Sequence, residues 1–165
     1  MKKFQIIFAS LAILMTCLSG CSDKESEPSS NGTKTANFVD LGLQSGTKWK
    51  STNEDGYYNY QEAIDAFGTK LPTKEQFDEL LTDCTWEWKE SKYKITGPNG
   101  QSIFLPAAGW RWEGEVWQVG ELGNYMTSTL YNSDWVWFLY FKGSVLKYMK
   151  YDPKNYGRTV RLVSK

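Results

Sequence analysis

No histidine occurs anywhere in this sequence. That absence excludes Ser-His-Asp and Cys-His catalysis and removes the commonest transition-metal ligand. Cysteine is almost as scarce, with Cys17, Cys21 and Cys84 the whole supply. An excess of either charge is missing too: 19 Lys and Arg stand against 19 Asp and Glu. Nothing in that balance argues for nucleic acid or for an anionic lipid surface. No glycine-rich phosphate loop follows a strand pattern. The largely apolar run from Phe4 to Met15 is shorter than the roughly 20 residues a membrane-spanning helix needs.

What is present begins with an export signal. Lys2 and Lys3 form its basic start and Phe4 to Met15 its apolar centre. Leu18-Ser19-Gly20-Cys21 then resembles a lipobox, where a bacterial lipoprotein is cleaved ahead of a lipid-modified cysteine. An ordinary signal peptide with a chance cysteine is the plainer alternative. The expectation is a signal peptide over 1–20 and lipidation at Cys21, with several acyl chains giving stable anchoring. Acidic Ser22-Asp23-Lys24-Glu25 resembles the surface-export signal of Bacteroidetes lipoproteins, so the expected location is the outer membrane, facing outward. Cleavage would leave 19 − 2 = 17 basic residues against 19 acidic ones, a net charge near −2. Membrane contact is therefore expected only through the lipid. Cys84 would be the sole free thiol, which rules out an intramolecular disulfide.

Residues 21–37 comprise the lipidated Cys21 and a polar stretch, Ser22 to Asn37, with almost nothing apolar. Such a segment cannot offset its ordering entropy by burial and reads as a disordered tether. Its r.m.s. span would be about 20–24 Å. Residues 38–165 have the size of one domain with one core.

Within that domain the Leu71 to Leu81 stretch is the most explicit. Thr73 and Gln76 stand in capping-box spacing, and Phe77, Leu80, Leu81 and Cys84 follow as one apolar stripe. Cys84 on that stripe reads as a small buried hydrophobe. A shorter helix precedes it, with Asn59 as cap, Glu62 at N3 and Gly68 at the left-handed C-terminal position. The remainder reads as strands: Phe38 to Leu43, Thr47 to Lys50, Tyr93 to Thr96, Gln101 to Leu105, Trp135 to Lys142, Val145 to Tyr151 and Thr159 to Val163. Gly97-Pro98-Asn99-Gly100 is a turn, and Gly143-Ser144 suits a two-residue type II′ loop. Trp135 to Lys142 is apolar on both faces, as a central strand covered twice would be. The fold class expected is α+β, two short helices packed on twisted antiparallel sheets.

Several blocks, in order, resemble the Fibrobacter succinogenes major paralogous domain family, common in Bacteroidetes lipoproteins. They are Phe38 to Trp49, Leu71-Pro72-Thr73, Ile103 to Gly109, Gly123 to Thr129 and Val160 to Val163. The resemblance implies a C-type-lectin-like fold, distantly related to the formylglycine-generating and sulfatase-modifying enzymes. Function does not travel with fold. The calcium-dependent sugar motif of true C-type lectins is incomplete: Gly97-Pro98-Asn99 lacks the leading acid, and Asn132-Ser133-Asp134-Trp135 has the letters in another order. The cysteine pair of the formylglycine-generating enzymes has no counterpart, because Cys84 stands alone. No metal and no cofactor is expected.

The aromatic load is the better lead. All eight Trp lie beyond residue 48. Trp49, Phe104 and Trp137 sit inside strand patterns and read as core. Trp110, Trp112 and Trp117 crowd a stretch with Gly114, Glu113 and Glu115, where burial throughout is not expected. Indole faces suit sugar C–H edges or peptide side chains. Glu113 and Glu115 on either side of Gly114 are the pair a glycosidase reading would use as acid and base, but such a pair is more simply the polar side of an exposed hairpin. The functional expectation is a non-enzymatic binding module for a glycan or an extracellular or envelope protein. Its candidate ligand-binding residues are Trp110, Trp112, Glu113, Glu115, Trp117, Asn132, Asp134 and Trp135. A structural or adhesion subunit docking another envelope protein and a carboxylate-based glycoside hydrolase are the alternatives. No catalytic residue is assigned.

Overall fold

The computed structural model describes residues 37–165. The signal-peptide, Cys21 and tether expectations fall on the residues before these, apart from exposed Asn37. The described chain is α+β, with two short α-helices and a set of small antiparallel sheets.

Both helices begin as their caps dictate. Helix α1, Tyr60–Phe67, has the Asn59 side chain accepting from the Glu62 amide while Glu62 accepts from the Asn59 amide. Gly68 ends it at φ 50°. Helix α2, Lys74–Asp83, has the same reciprocal pair between Thr73 and Gln76. Phe77 and Leu80 on its inner face are fully buried, with Leu81 and Cys84 partly buried beside them.

Strands β1 (Phe38–Asp40) and β2 (Lys48–Lys50) pair, and β11 (Val163–Ser164) joins the far edge of β2. Strands β3 (Thr85–Lys89), β4 (Lys92–Thr96) and β5 (Ser102–Pro106) form a meander, and β6 (Trp110–Trp112) and β7 (Glu115–Trp117) a hairpin. The largest sheet is β8 (Leu122–Leu130), β9 (Trp135–Lys142) and β10 (Leu146–Pro153), with β9 in the centre. One face of this sheet carries Tyr125, Leu139 and Phe141 into a core shared with Phe77 and Leu80 of α2. The other carries Met126 and Val136 against Ala63 of α1, Leu71 and Val160. The doubly covered central strand is therefore real, with a helix serving each face.

Four expectations change. Phe104 is exposed, because alternation along β5 turns Ile103 and Leu105 inward and leaves Phe104 beside Lys92 on the outside. The β9–β10 loop holds three residues, Gly143 to Val145, since Lys142 pairs with Leu146. The last strand shrinks to Val163–Ser164. Ahead of it Arg158 and Arg161 have buried side chains, and the backbone bonds of this segment go to separate places: Arg158 to Tyr58, Thr159 to Asn124, and the Leu162 carbonyl to Lys50. A strand that hands each peptide to a different partner has no ladder. Finally, β3 and β8 are strands that the pattern reading passed over.

Candidate functional site

The β6–β7 hairpin closes through Glu113 and Gly114, both at positive φ (49° and 85°), as a type I′ turn requires. Trp110 pairs with Trp117 and Trp112 with Glu115. Strand alternation therefore gathers Trp110, Trp112, Glu115 and Trp117 on one face and sends Arg111 and Val116 to the other. Glu113 belongs to the exposed turn, so the two carboxylates of this stretch sit in different settings. Gly109 lets the chain enter the hairpin: its φ is +74°, and a Cβ there would lie 2.1 Å from the Trp117 carbonyl oxygen. On the opposite face Arg111 exchanges backbone bonds with Gly157 and reaches Glu62 at 3.5 Å.

Tyr156 backs the aromatic face. Its ring meets Trp110 edge-on at 5.3 Å and Trp112 at 4.7 Å. Those two indoles are consequently half-buried, while Trp117 keeps 51% of its surface in solvent.

Beneath the hairpin lies a crevice of about 180 Å³. Trp110, Gln118 and Tyr156 form one wall, and Asn124, Phe138, Tyr140, Lys150 and Asp152 of the β8–β9–β10 sheet form the floor. The floor residues share a face because Asn124 pairs with Tyr140, Phe138 with Lys150, and Val136 with Asp152. Lys150 lies 3.7 Å from the Asp152 carboxylate and over the Tyr140 ring. Arg158 stacks on Phe138 at 4.2 Å, and its Nη1 donates to the Pro153 and Tyr156 carbonyls. Burial pulls the Arg158 guanidinium down to about 10, against the opposing pull of Asp152 and Tyr156.

The remaining candidates are elsewhere. Asn132 Oδ1 accepts from the amides of Asp134 and Trp135 at 2.9 Å, and Asp134 accepts from the Ser133 hydroxyl. These side chains shape the β8–β9 loop. Trp135 projects from the opposite face of β9 to Phe138 and joins Tyr131, Trp137 and Tyr151 in a second, partly exposed aromatic cluster. Tyr131 and Tyr151 stack there at 3.9 Å with planes 2° apart. The eight candidates thus separate into a hairpin group, Trp110 to Trp117, and a loop group, Asn132 to Trp135.

Asn124, Tyr156, Tyr140 and Asp152 belong to the site and escaped sequence reasoning. Only strand pairing in the folded chain puts them beside Trp110. Asn99 is a turn residue, with Nδ2 on the Asp40 carbonyl and Oδ1 accepting from Gln101. Among the described residues, no three His, Cys, Asp or Glu side chains gather closely enough to hold a metal ion. Compared with protein-family models, with curated proteins and with solved structures, the chain matches none.

Proposed function

We propose that this chain is a non-enzymatic binding module, anchored at the bacterial outer surface through Cys21, that recognises a glycan through the Trp110–Trp117 hairpin. The observation that carries the reading is the exposed Trp117 ring on the same hairpin face as Trp110 and Trp112, with Trp110 lining a polar crevice. Aromatic faces next to a few convergent polar groups are what sugar recognition needs.

The likeness to the Fibrobacter succinogenes major paralogous domain family, and with it a C-type-lectin-like fold, is part of the proposal. The residue blocks behind that likeness interlock. The Pro72 carbonyl accepts from Ser128, and Lys74 N–H donates to Thr129. Tyr125 donates to the Pro106 carbonyl, and Arg161 to that of Phe104. The blocks therefore speak for a shared scaffold, and the ligand is argued from the hairpin.

Glycan-array screening of the full chain and of Trp117→Ala tests this. Binding that Trp117→Ala loses supports it; a wild-type chain that binds no glycan overturns it. The Tyr131–Trp135–Tyr151 cluster favours a second reading, docking onto another envelope protein, and co-purification lost in Trp135→Ala would select it. Sugar released on incubation would instead select the hydrolase. For the anchor, Cys21→Ser should give an unprocessed precursor or a soluble periplasmic form, and normal membrane fractionation of that variant would sink the assignment.

A further inference from the structure

We infer that the crevice between the hairpin and the β8–β9–β10 sheet is a pocket for one neutral pyranose ring at the end of a glycan chain. The inference rests on the glycan reading above and specifies where the terminal residue sits.

Its first support is a polar side chain with an unmet hydrogen-bonding atom. Among the described residues, five buried side-chain atoms have no partner, and Asn124 Oδ1 is the one of them whose residue lines the crevice. An unpaired buried polar group is costly, and native folds seldom tolerate one without a use for it. Asn124 is 7% exposed and its side chain lines the crevice floor. Its carboxamide is thus placed at the crevice with its oxygen unpartnered by any protein group.

The second support is the chemistry of the lining. A pyranose offers apolar C–H faces and a rim of hydroxyls, each able to donate and accept. Trp110, Tyr140 and Tyr156 supply rings, while Asp152 accepts, Lys150 donates and the Gln118 amide does both. Lys150 and Asp152, 3.7 Å apart, largely cancel each other's charge. That disfavours a strongly anionic or cationic guest and suits a neutral polyol.

The third support is size. At about 180 Å³ the crevice is below the roughly 300–1,000 Å³ of pockets for drug-sized ligands, the scale of a single ring. A following sugar would leave toward Trp112 and Trp117, which extend the same aromatic face. Arg158 is wholly buried and cannot touch such a guest. It is a positioning residue, holding Phe138 from above and the Tyr156 carbonyl from beside.

The test uses the full chain labelled at tryptophan nitrogen, with the Trp110 indole resonance assigned through Trp110→Phe. Methyl pyranosides of neutral hexoses are titrated in one arm and methyl uronates in another. The expected result is a saturable shift of Trp110 with at least one neutral pyranoside. Asn124→Leu should weaken that binding at least tenfold with no loss of melting temperature, because it removes an unpartnered acceptor. Asp152→Asn, which keeps the side chain's shape, should weaken it as well. If glycan-array binding persists and still depends on Trp117, while no pyranoside shifts Trp110 or competes, the pocket is overturned and the hairpin reading stands. A shift with uronates alone overturns the neutral class. A chain that binds no glycan in either format overturns both.

Discussion

The Trp112 ring meets the Tyr156 ring edge-on, with centroids 4.7 Å apart and planes at 81°. This contact ties the hairpin to the chain segment ahead of Arg158 and leaves Trp117, across from Trp110, without such a support. Edge-to-face pairs are worth about 0.5–1.5 kcal/mol beyond the area they bury. A double-mutant cycle on Trp112 and Tyr156, read by urea unfolding, should return a coupling in that range. Trp117→Ala should stay within about 0.5 kcal/mol of wild type, as surface truncations usually do. Trp49, which is fully buried against Phe77, should cost about 3–5 kcal/mol when cut to Ala.

The start of α2 offers a separate stability test. Thr73→Ala removes one half of the capping box and should cost about 0.5–2 kcal/mol. Leu80→Ala, at a fully buried position, should cost about 2–5 kcal/mol. A Leu80→Ala protein that melts like wild type would mean the helix can repack around the cavity.

Two glycines of similar backbone separate strain from collision. Gly109 and Gly46 have φ near +74° and +71°, yet only Gly109 has a neighbour, the Trp117 carbonyl, in the way of a Cβ. Gly46→Ala should show the backbone term alone, about 1–3 kcal/mol. Gly109→Ala should cost distinctly more and shift the Trp110 and Trp117 resonances. Equal losses at the two sites would contradict the tight entry to the hairpin.

Alkaline pH should destabilise the fold. Burial pushes the Tyr125 phenol up to about 12 from an ordinary value of 10, and burial with Asp83 and Glu79 pushes Cys84 up to about 11. In each case the folded state holds a proton that the unfolded chain releases sooner. The resulting stability is complete below the unfolded values and is lost as pH rises through the folded ones, a window from about 9 to 12. Urea midpoints should fall as pH rises above about 9. The Arg158 guanidinium, lowered to about 10, works the other way in the upper part of the window, and Tyr125→Phe should lessen the loss there.

The same shift makes Cys84 unreactive. With its thiol moved from 9.0 to about 11, the thiolate fraction near neutral pH is roughly a hundredfold lower than in the unfolded chain. Alkylation should therefore be slower by about that factor in the native protein, and speed matching the denatured protein would place Cys84 outside the helix-facing core.

Local chemistry was legible wherever the chain signals to itself over a few residues. The two capping boxes, the Gly68 stop and the alternating β9 strand could be read because caps and strand faces depend on neighbours three or two positions away. The alternation of Thr85 to Lys89 was there to be read as well, and it forms β3. Strand β8 was hidden, because Leu122 to Thr127 is buried without alternation and its polar Thr127 is bonded to the Trp137 carbonyl. Such a strand is defined by its partner across the ladder, not by its own pattern.

The candidate site divides along the same line. A solvent-exposed aromatic hairpin could be expected from three Trp crowding Gly114, and Trp117 is exposed. The crevice beside it could not be foreseen. Trp110 and Asn124 are far in the chain from Asp152 and Tyr156 and meet them through the β8–β9–β10 pairing and the Arg111–Gly157 bridge. Sequence alone determined the helix starts, the faces of the central strand and the crowding of indoles, all short-range properties of the covalent chain. Tertiary structure alone decided which indoles stay wet and which polar groups gather below them, because those outcomes follow from strand register, and register is fixed only when distant segments bury each other.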